Sequence, residues 1–270
     1  MDFLHLVKAF VLGIVEGLTE FLPVSSTGHL ILVGDWLSFD SGAGKVFEVV
    51  IQLGAILAVC WLYRQKILEV LAGLVRRDPA ALRFAGVVLV SFLPSVVFGI
   101  LFIKTIKEVL FNPIVVAVSL VVGGVIILWV ERRERPVASQ TIEEIGWLQA
   151  LGIGLAQIVS MIPGVSRSGA TIVGGMVFGL SRTAATEFSF FLAIPTMLGA
   201  SALDLAKNGA TLTLGDAAAI AVGFVTAFFS AVVVVKFLIR YVAHHTLSVF
   251  AWYRIAFGVV LLAAYWGMSF

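Results

Sequence analysis

Glu16 and Glu20 stand four residues apart in an apolar stretch, and Pro23-Val24-Ser25-Ser26-Thr27-Gly28-His29 follows at once. On a helix this spacing puts both carboxylates on one face, about 6 Å apart. Two carboxylates so placed repel unless something sits between them. A divalent cation such as Mg2+ or Ca2+ is the economical answer, because hard cations take carboxylate oxygens. A shared proton, or pairing with Arg167, would also serve. A serine becomes a nucleophile when a base lies within reach. His29 comes one helical turn after Ser26, which predicts that the two side chains meet. Ser25, Ser26 and Thr27 could also be plain caps of the following helix, but capping needs neither the histidine nor the acidic pair.

A second constellation is Pro163-Gly164-Val165-Ser166-Arg167-Ser168-Gly169-Ala170-Thr171. Gly164 and Gly169 let backbone approach a ligand closely. A loop feeding a helix N-terminus aims N–H groups at an anion. Ser166, Ser168 and Thr171 add hydroxyls, and Arg167 offers a planar fork suited to phosphate oxygens. The whole reads as an anion cradle. It is not a Walker loop, because no Lys-Ser/Thr closes it. Glu48 and Gln52, again four apart, could face the same site. Glu187 reads as a helix-start acid favouring the dipole. Arg254, beside Trp252 and Tyr253, fits an interfacial belt or a phosphate contact.

These groups need a scaffold that holds ionisable residues in an apolar medium. The chain has 270 residues, of which 60% are hydrophobic and 13% charged, with a mean hydropathy of +1.09. A soluble domain carries about 25% charged residues; this chain could not cover its own surface, so it is an integral membrane protein. The net charge of +2 and the lack of a basic tract exclude a nucleic-acid partner. A single cysteine, Cys60, excludes an intrachain disulfide and reads as a small buried hydrophobe. The start, MDFLHLVKAF, has no basic region and no small-residue cleavage site, and predicts no removable signal peptide.

Apolar runs of spanning length occupy 46–63, 84–103, 113–130, 188–206, 215–239 and 249–268. Residues 3–35 and 147–180 are too polar in the middle for one clean span and predict two half-helices each. A shift of 141 residues aligns Gly13 with Gly154, Glu16 with Gln157, Ser25 with Ser166, Thr27 with Ser168, Gly28 with Gly169 and Phe47 with Phe188. That constant offset predicts an internal repeat of one broken hairpin plus three helices. Three crossings invert the second copy, and inverted repeats place their sites near midplane. The expected fold is all-α, with six transmembrane helices and two re-entrant hairpins. Residues 1–135 and 145–270 are the two repeats of one membrane domain. ERRERPVASQTIEE (131–144) reads as a solvated linker between them.

With both termini outside, inside loops hold eleven basic residues: Arg64, Lys66, Arg76, Arg77, Arg83, Arg132, Arg133, Arg135, Arg182, Lys236 and Arg240. Outside loops hold five: Lys8, Lys45, Lys104, Lys107 and Lys207. The positive-inside rule selects this orientation. Gly123-Gly124, Gly174-Gly175 and Gly199 suit close helix packing and would permit a dimer.

The motifs resemble those of the bacterial undecaprenyl-pyrophosphate phosphatases, the bacitracin-resistance proteins. The resemblance rests on residues 16–29, on Phe47-Glu48-Val49-Val50-Ile51-Gln52-Leu53-Gly54, on 163–171 and on Glu187-Phe188-Ser189-Phe190. It covers essentially the whole chain. It implies hydrolysis of undecaprenyl pyrophosphate to undecaprenyl phosphate and inorganic phosphate, recycling the lipid carrier for peptidoglycan. It places Glu16, Glu20, Ser26, His29 and Arg167 at functional positions. It also implies a divalent cation, an inner-membrane location and a site facing the periplasm. Ser26 would then attack the terminal phosphorus with His29 or Glu20 as base, Arg167 and residues 164–169 would hold phosphates, and Glu16 and Glu20 would hold metal. A histidine nucleophile and direct attack by water are the competing versions. A prenyl-phosphate flippase would need the same cradle without the Ser26/His29 pair. A scaffolding protein would leave Glu16, Glu20 and Arg167 unexplained.

Overall fold

The computed structural model describes residues 3–39, 45–133, 135–208 and 217–267. The ends of two expected spans, at 215–216 and 268, fall outside that set, as do the side chains of Lys45, Lys107 and Lys207. The described residues form α1 (Phe3–Thr19), α2 (Ser26–Leu37), α3 (Lys45–Leu62), α4 (Arg64–Val75), α5 (Pro79–Leu110) and α6 (Pro113–Glu131), then α7 (Trp147–Val159), α8 (Arg167–Val177), α9 (Arg182–Asn208), α10 (Ala217–His244) and α11 (Ser248–Gly267). A single 3-10 turn, Ile142–Glu144, precedes α7. Among the described residues the only β pairing is one isolated bridge, Ser139 to Leu180.

Local chemistry sets the helix starts. Asp78 caps α5 by accepting from the Ala81 amide at 3.0 Å, with Pro79 in the first turn. Asn112 and Pro113 repeat the device at α6, where Asn112 Oδ1 accepts from Val115 at 2.9 Å. Each side chain satisfies an amide that has no intrahelical partner, and proline's fixed φ suits the first turn.

Among the described residues four helices are long and apolar enough to cross a membrane: Pro79–Phe102, Pro113–Glu131, Arg182–Ala206 and Ala217–His244. The chain is therefore an all-α integral membrane protein. Val46–Leu62 reaches spanning length only together with Arg64–Val75, and the two are bent by 76° at Tyr63. The last expected span has a described apolar stretch, Ser248–Ala264. Large apolar side chains on the outer faces, such as Val97, Ile100, Leu101, Phe229 and Val233, are exposed, as a lipid-facing surface requires.

Both broken stretches break where expected. α1 gives way to α2 across residues 20–25, and α7 to α8 across 160–166. Ser25 has φ 71° and Ser166, 141 positions later, has φ 74°. A non-glycine residue held at positive φ is strained and needs surrounding structure to keep it there. Gly164, at φ 89°, sits against the backbone of Val116, where a Cβ would collide with the Val116 carbonyl. The same offset carries α3 onto α9, and Phe47 and Phe188 are both buried. α1 packs on α10 and α7 on α5, while α6 pairs with α11 and α3 with α9.

Most described residues of the charged run 131–144 are exposed, as a solvated linker requires, but several of its side chains are tied down. The Glu131 side chain is buried, ion-paired to Arg182 through both oxygens at 2.9 and 2.7 Å, and accepts from the Leu247 amide at 2.8 Å. Lys66 pairs with Glu143 at 2.5 Å. The run pins the ends of α6, α9 and α10 together, which its composition alone does not reveal. Cys60 is half-buried.

Candidate active site

The two breaks meet around a cleft of about 230 Å³. Glu20, Ser25, Ser26, Thr27 and Gln52 line one side; Gly164, Ser166 and Arg167 line the other. Residues distant in sequence thus share one wall-to-wall space.

At its centre is a three-residue chain. The Ser26 hydroxyl donates to Glu20 Oε2 at 2.5 Å. Arg167 Nη2 donates to Glu20 Oε1 at 2.9 Å, and Arg167 Nη1 to the Ser189 carbonyl at 3.0 Å. Arg167 Nε is buried without a hydrogen-bond partner. A buried guanidinium donor without a partner is costly to leave unpaired. Glu20 itself extends the last turn of α1, its amide bonding to the Glu16 carbonyl at 2.9 Å.

His29 does not meet Ser26. Its Nδ1 lies 2.7 Å from the Ser25 carbonyl and its Nε2 lies 2.6 Å from the Tyr253 hydroxyl. The ring stacks on Phe257, with centroids 4.5 Å apart. Both nitrogens are occupied, and the carboxylate in contact with Ser26 is that of Glu20.

The second motif is more self-contained than the sequence implies. Ser166 Oγ accepts from the Gly169 amide at 3.1 Å, capping α8. The Ser168 hydroxyl donates to the Leu22 carbonyl at 2.8 Å, joining the two breaks. Thr171 Oγ1 lies 2.7 Å from Ser189 Oγ. Ser168, Gly169 and Thr171 therefore hold the break together rather than line the cleft. Glu48 is exposed and outside the cleft lining. Glu187 accepts from the Tyr63 hydroxyl at 3.4 Å.

Arg254 is 1% exposed. It donates to the carbonyls of Pro23 and Gly164, both at 3.1 Å, and to those of Ser119 and Leu120 at 3.2 and 3.4 Å. It ties both breaks to α6, which neither the interfacial nor the phosphate reading describes. Sequence reasoning also passed over Tyr253, Ser189 and Thr196, the last of which lines the cleft. Ser189 stood within the Glu187–Phe190 motif; Tyr253 and Thr196 carry no local signal, because only tertiary packing brings them to the site.

Glu16 and Glu20 are the candidate donor set for a divalent cation. Glu16 is 1% exposed, and its Oε1 has no hydrogen-bond partner. A buried orphan carboxylate oxygen beside a second carboxylate suits a hard cation. Among the described residues, no three His, Cys, Asp or Glu converge on one point. Two carboxylates fit the way Mg2+ is usually held, with substrate phosphates and water completing its shell.

A family model described as "Bacitracin resistance protein BacA" matches residues 9–260. The chain belongs to the BacA family. It is 60% identical over 265 residues to "Undecaprenyl-diphosphatase 2" of Shewanella oneidensis, covering 97% of this chain and 99% of that protein. It is 57% identical over 269 residues to "Undecaprenyl-diphosphatase" of Nitrosospira multiformis, covering 99% and 98%. It is 56% identical over 273 residues to the protein of the same name in Bordetella avium, covering 96% and 97%. As a BacA-family protein it shares its length, and not just one motif, with these relatives.

Proposed function

We propose that this chain hydrolyses undecaprenyl diphosphate to undecaprenyl phosphate and inorganic phosphate. The names of its full-length relatives support the substrate. The observation that carries the chemistry is Ser26 hydrogen-bonded to one oxygen of Glu20 while Arg167 holds the other, in one cleft. The product would re-enter the carrier cycle of peptidoglycan synthesis, and the family description names bacitracin resistance.

The mechanism uses positioning and charge neutralisation, which are most of what phosphoryl transfer needs. Arg167 turns its free donor to the phosphates, helped by Ser25, Thr27, Gln52 and the Gly164–Ser166 backbone. Ser26 Oγ attacks the terminal phosphorus, and its proton passes to Glu20 Oε2. The anhydride P–O bond breaks and undecaprenyl phosphate leaves. Glu20 passes that proton to the departing undecaprenyl phosphate, then accepts one from the water that attacks the phosphoserine and returns it to Ser26 Oγ as the Oγ–P bond breaks. Inorganic phosphate departs and the Ser26 hydroxyl is restored. Glu16 and Glu20 would hold a divalent cation, which when bound would screen the negative charge of the substrate.

Residues 1–135 and 145–270 act as inverted repeats of one membrane domain, with six spanning helices and two re-entrant hairpins. The matched offset of Ser25 and Ser166 supports this reading. The protein lies in the inner membrane with its cleft toward the periplasm, as the basic-residue bias supports. The glycine-faced helices are suited to a homodimer.

The test is phosphate release from undecaprenyl diphosphate by the purified protein in detergent, with Mg2+ and then with excess EDTA. Metal-dependent release is expected. Intact lipid binding without release would overturn the hydrolase and favour a carrier.

A further inference from the structure

The two equivalent turns, at Ser25 and Ser166, are held by different means. Ser166 fixes its own strained turn, because its hydroxyl caps the Gly169 amide. Ser25 makes no such capping bond. Its carbonyl is instead gripped by His29 Nδ1 at 2.7 Å. The residue 141 positions after His29 is Ala170, so the second repeat has no counterpart of this ring.

A carbonyl oxygen only accepts, so Nδ1 carries the hydrogen. In the neutral ring Nε2 is then an acceptor, and the Tyr253 hydroxyl donates to it at 2.6 Å. His29 is 8% exposed and stacked on Phe257, so the ring has little freedom to flip. Ser25 immediately precedes Ser26, whose hydroxyl lies 2.5 Å from Glu20. Rotation of the Ser25 peptide would swing Ser26 off that carboxylate.

We infer that Tyr253 is a positioning residue: through His29 it locks the Ser25 carbonyl and so aims the Ser26 hydroxyl at Glu20. The partner on the other ring nitrogen commonly sets a histidine's tautomer. His29 on this view is a strut, and reacts with nothing. The inference deepens the proposed phosphatase reading and rests on Ser26 as its nucleophile.

Two arms test it. The first reads the tautomer without activity: nitrogen-15 NMR of histidine-labelled protein in detergent, with the His29 signals assigned by their loss in His29→Asn. A protonated Nδ1 and bare Nε2 are expected, and Tyr253→Phe should move the Nε2 resonance alone. The second arm is the steady-state kinetics of phosphate release. Tyr253→Phe should lower kcat about tenfold with KM little changed, since sub-ångström misplacement acts on the reacting geometry. His29→Leu should lose more, and His29→Asn, whose amide nitrogen can replace Nδ1, should recover most of that loss. In the His29→Asn background Tyr253→Phe should add nothing.

A bare Nδ1, a wild-type kcat for Tyr253→Phe, or His29→Asn as inactive as His29→Leu would each overturn the inference. If the wild-type protein releases no phosphate, the phosphatase reading fails, and the NMR arm alone still decides whether the lock exists.

Discussion

Ser26 and Arg167 grip opposite oxygens of one carboxylate, that of Glu20, at 2.5 and 2.9 Å. The arrangement holds the Glu20 carboxylate between the two groups, with Ser26 and Arg167 both at the cleft. Charge-assisted bonds of this kind are short and directional. Ser26→Ala is expected to abolish turnover. Glu20→Gln keeps the volume and loses the base, so kcat should fall by roughly 10²–10⁴. Acid-quenched mass spectrometry should find phosphoserine at residue 26; its absence with active enzyme would favour direct attack by water.

Arg167→Lys replaces a planar fork by a point charge. It cannot hold Glu20, the Ser189 carbonyl and a phosphate oxygen together. KM for undecaprenyl diphosphate is expected to rise more than kcat falls. Arg167→Ala should in addition destabilise the protein by about 3–5 kcal/mol, because it strands the Glu20 carboxylate in a buried site. Thermal unfolding in detergent would separate the two effects.

Glu16→Gln should weaken divalent cation binding without unfolding the protein, since Glu16 Oε1 has no partner to lose. Titration with Mn2+ followed by electron paramagnetic resonance should find a lower affinity than wild type. Equal affinity would remove Glu16 from the metal site.

Arg254→Met should behave as a stability mutant. The Pro23 and Gly164 carbonyls lose their donor, at a cost of about 2–6 kcal/mol for two buried acceptors. Gly123→Ala should mimic it, because a Cβ there would collide with the Arg254 guanidinium. Both should lower the melting temperature by several degrees. Undiminished stability in either would sink the strut role.

Gly17→Leu should loosen α1 from α10. A Cβ at Gly17 already meets Ser230 and the Ala227 carbonyl, and helices in lipid associate through such close small-residue contacts. Because Glu16 and Glu20 ride on this helix end, activity and melting temperature should fall together. A variant stable but inactive would argue that the seam aligns the carboxylates only.

Much of this molecule is legible in its sequence. Apolar composition dictates a membrane protein, since no soluble surface could be built from it. Pro23, Gly164 and the flanking serines mark both breaks, because polar backbone at membrane depth is tolerated only where it is buried in protein or lines a cavity. The 141-residue offset pairs Ser25 with Ser166, and both take a positive φ in the structure. Tertiary structure alone decided the pairings across the site. Spacing put Ser26 beside His29; packing gave Ser26 to Glu20 and His29 to Tyr253, 224 residues away. Arg254 looked like a surface or ligand group and became an internal tie. The reason is physical. Local spacing fixes which side chains share a turn, but a buried donor takes whichever acceptor the fold brings within 3 Å, and that depends on helices meeting from opposite ends of the chain.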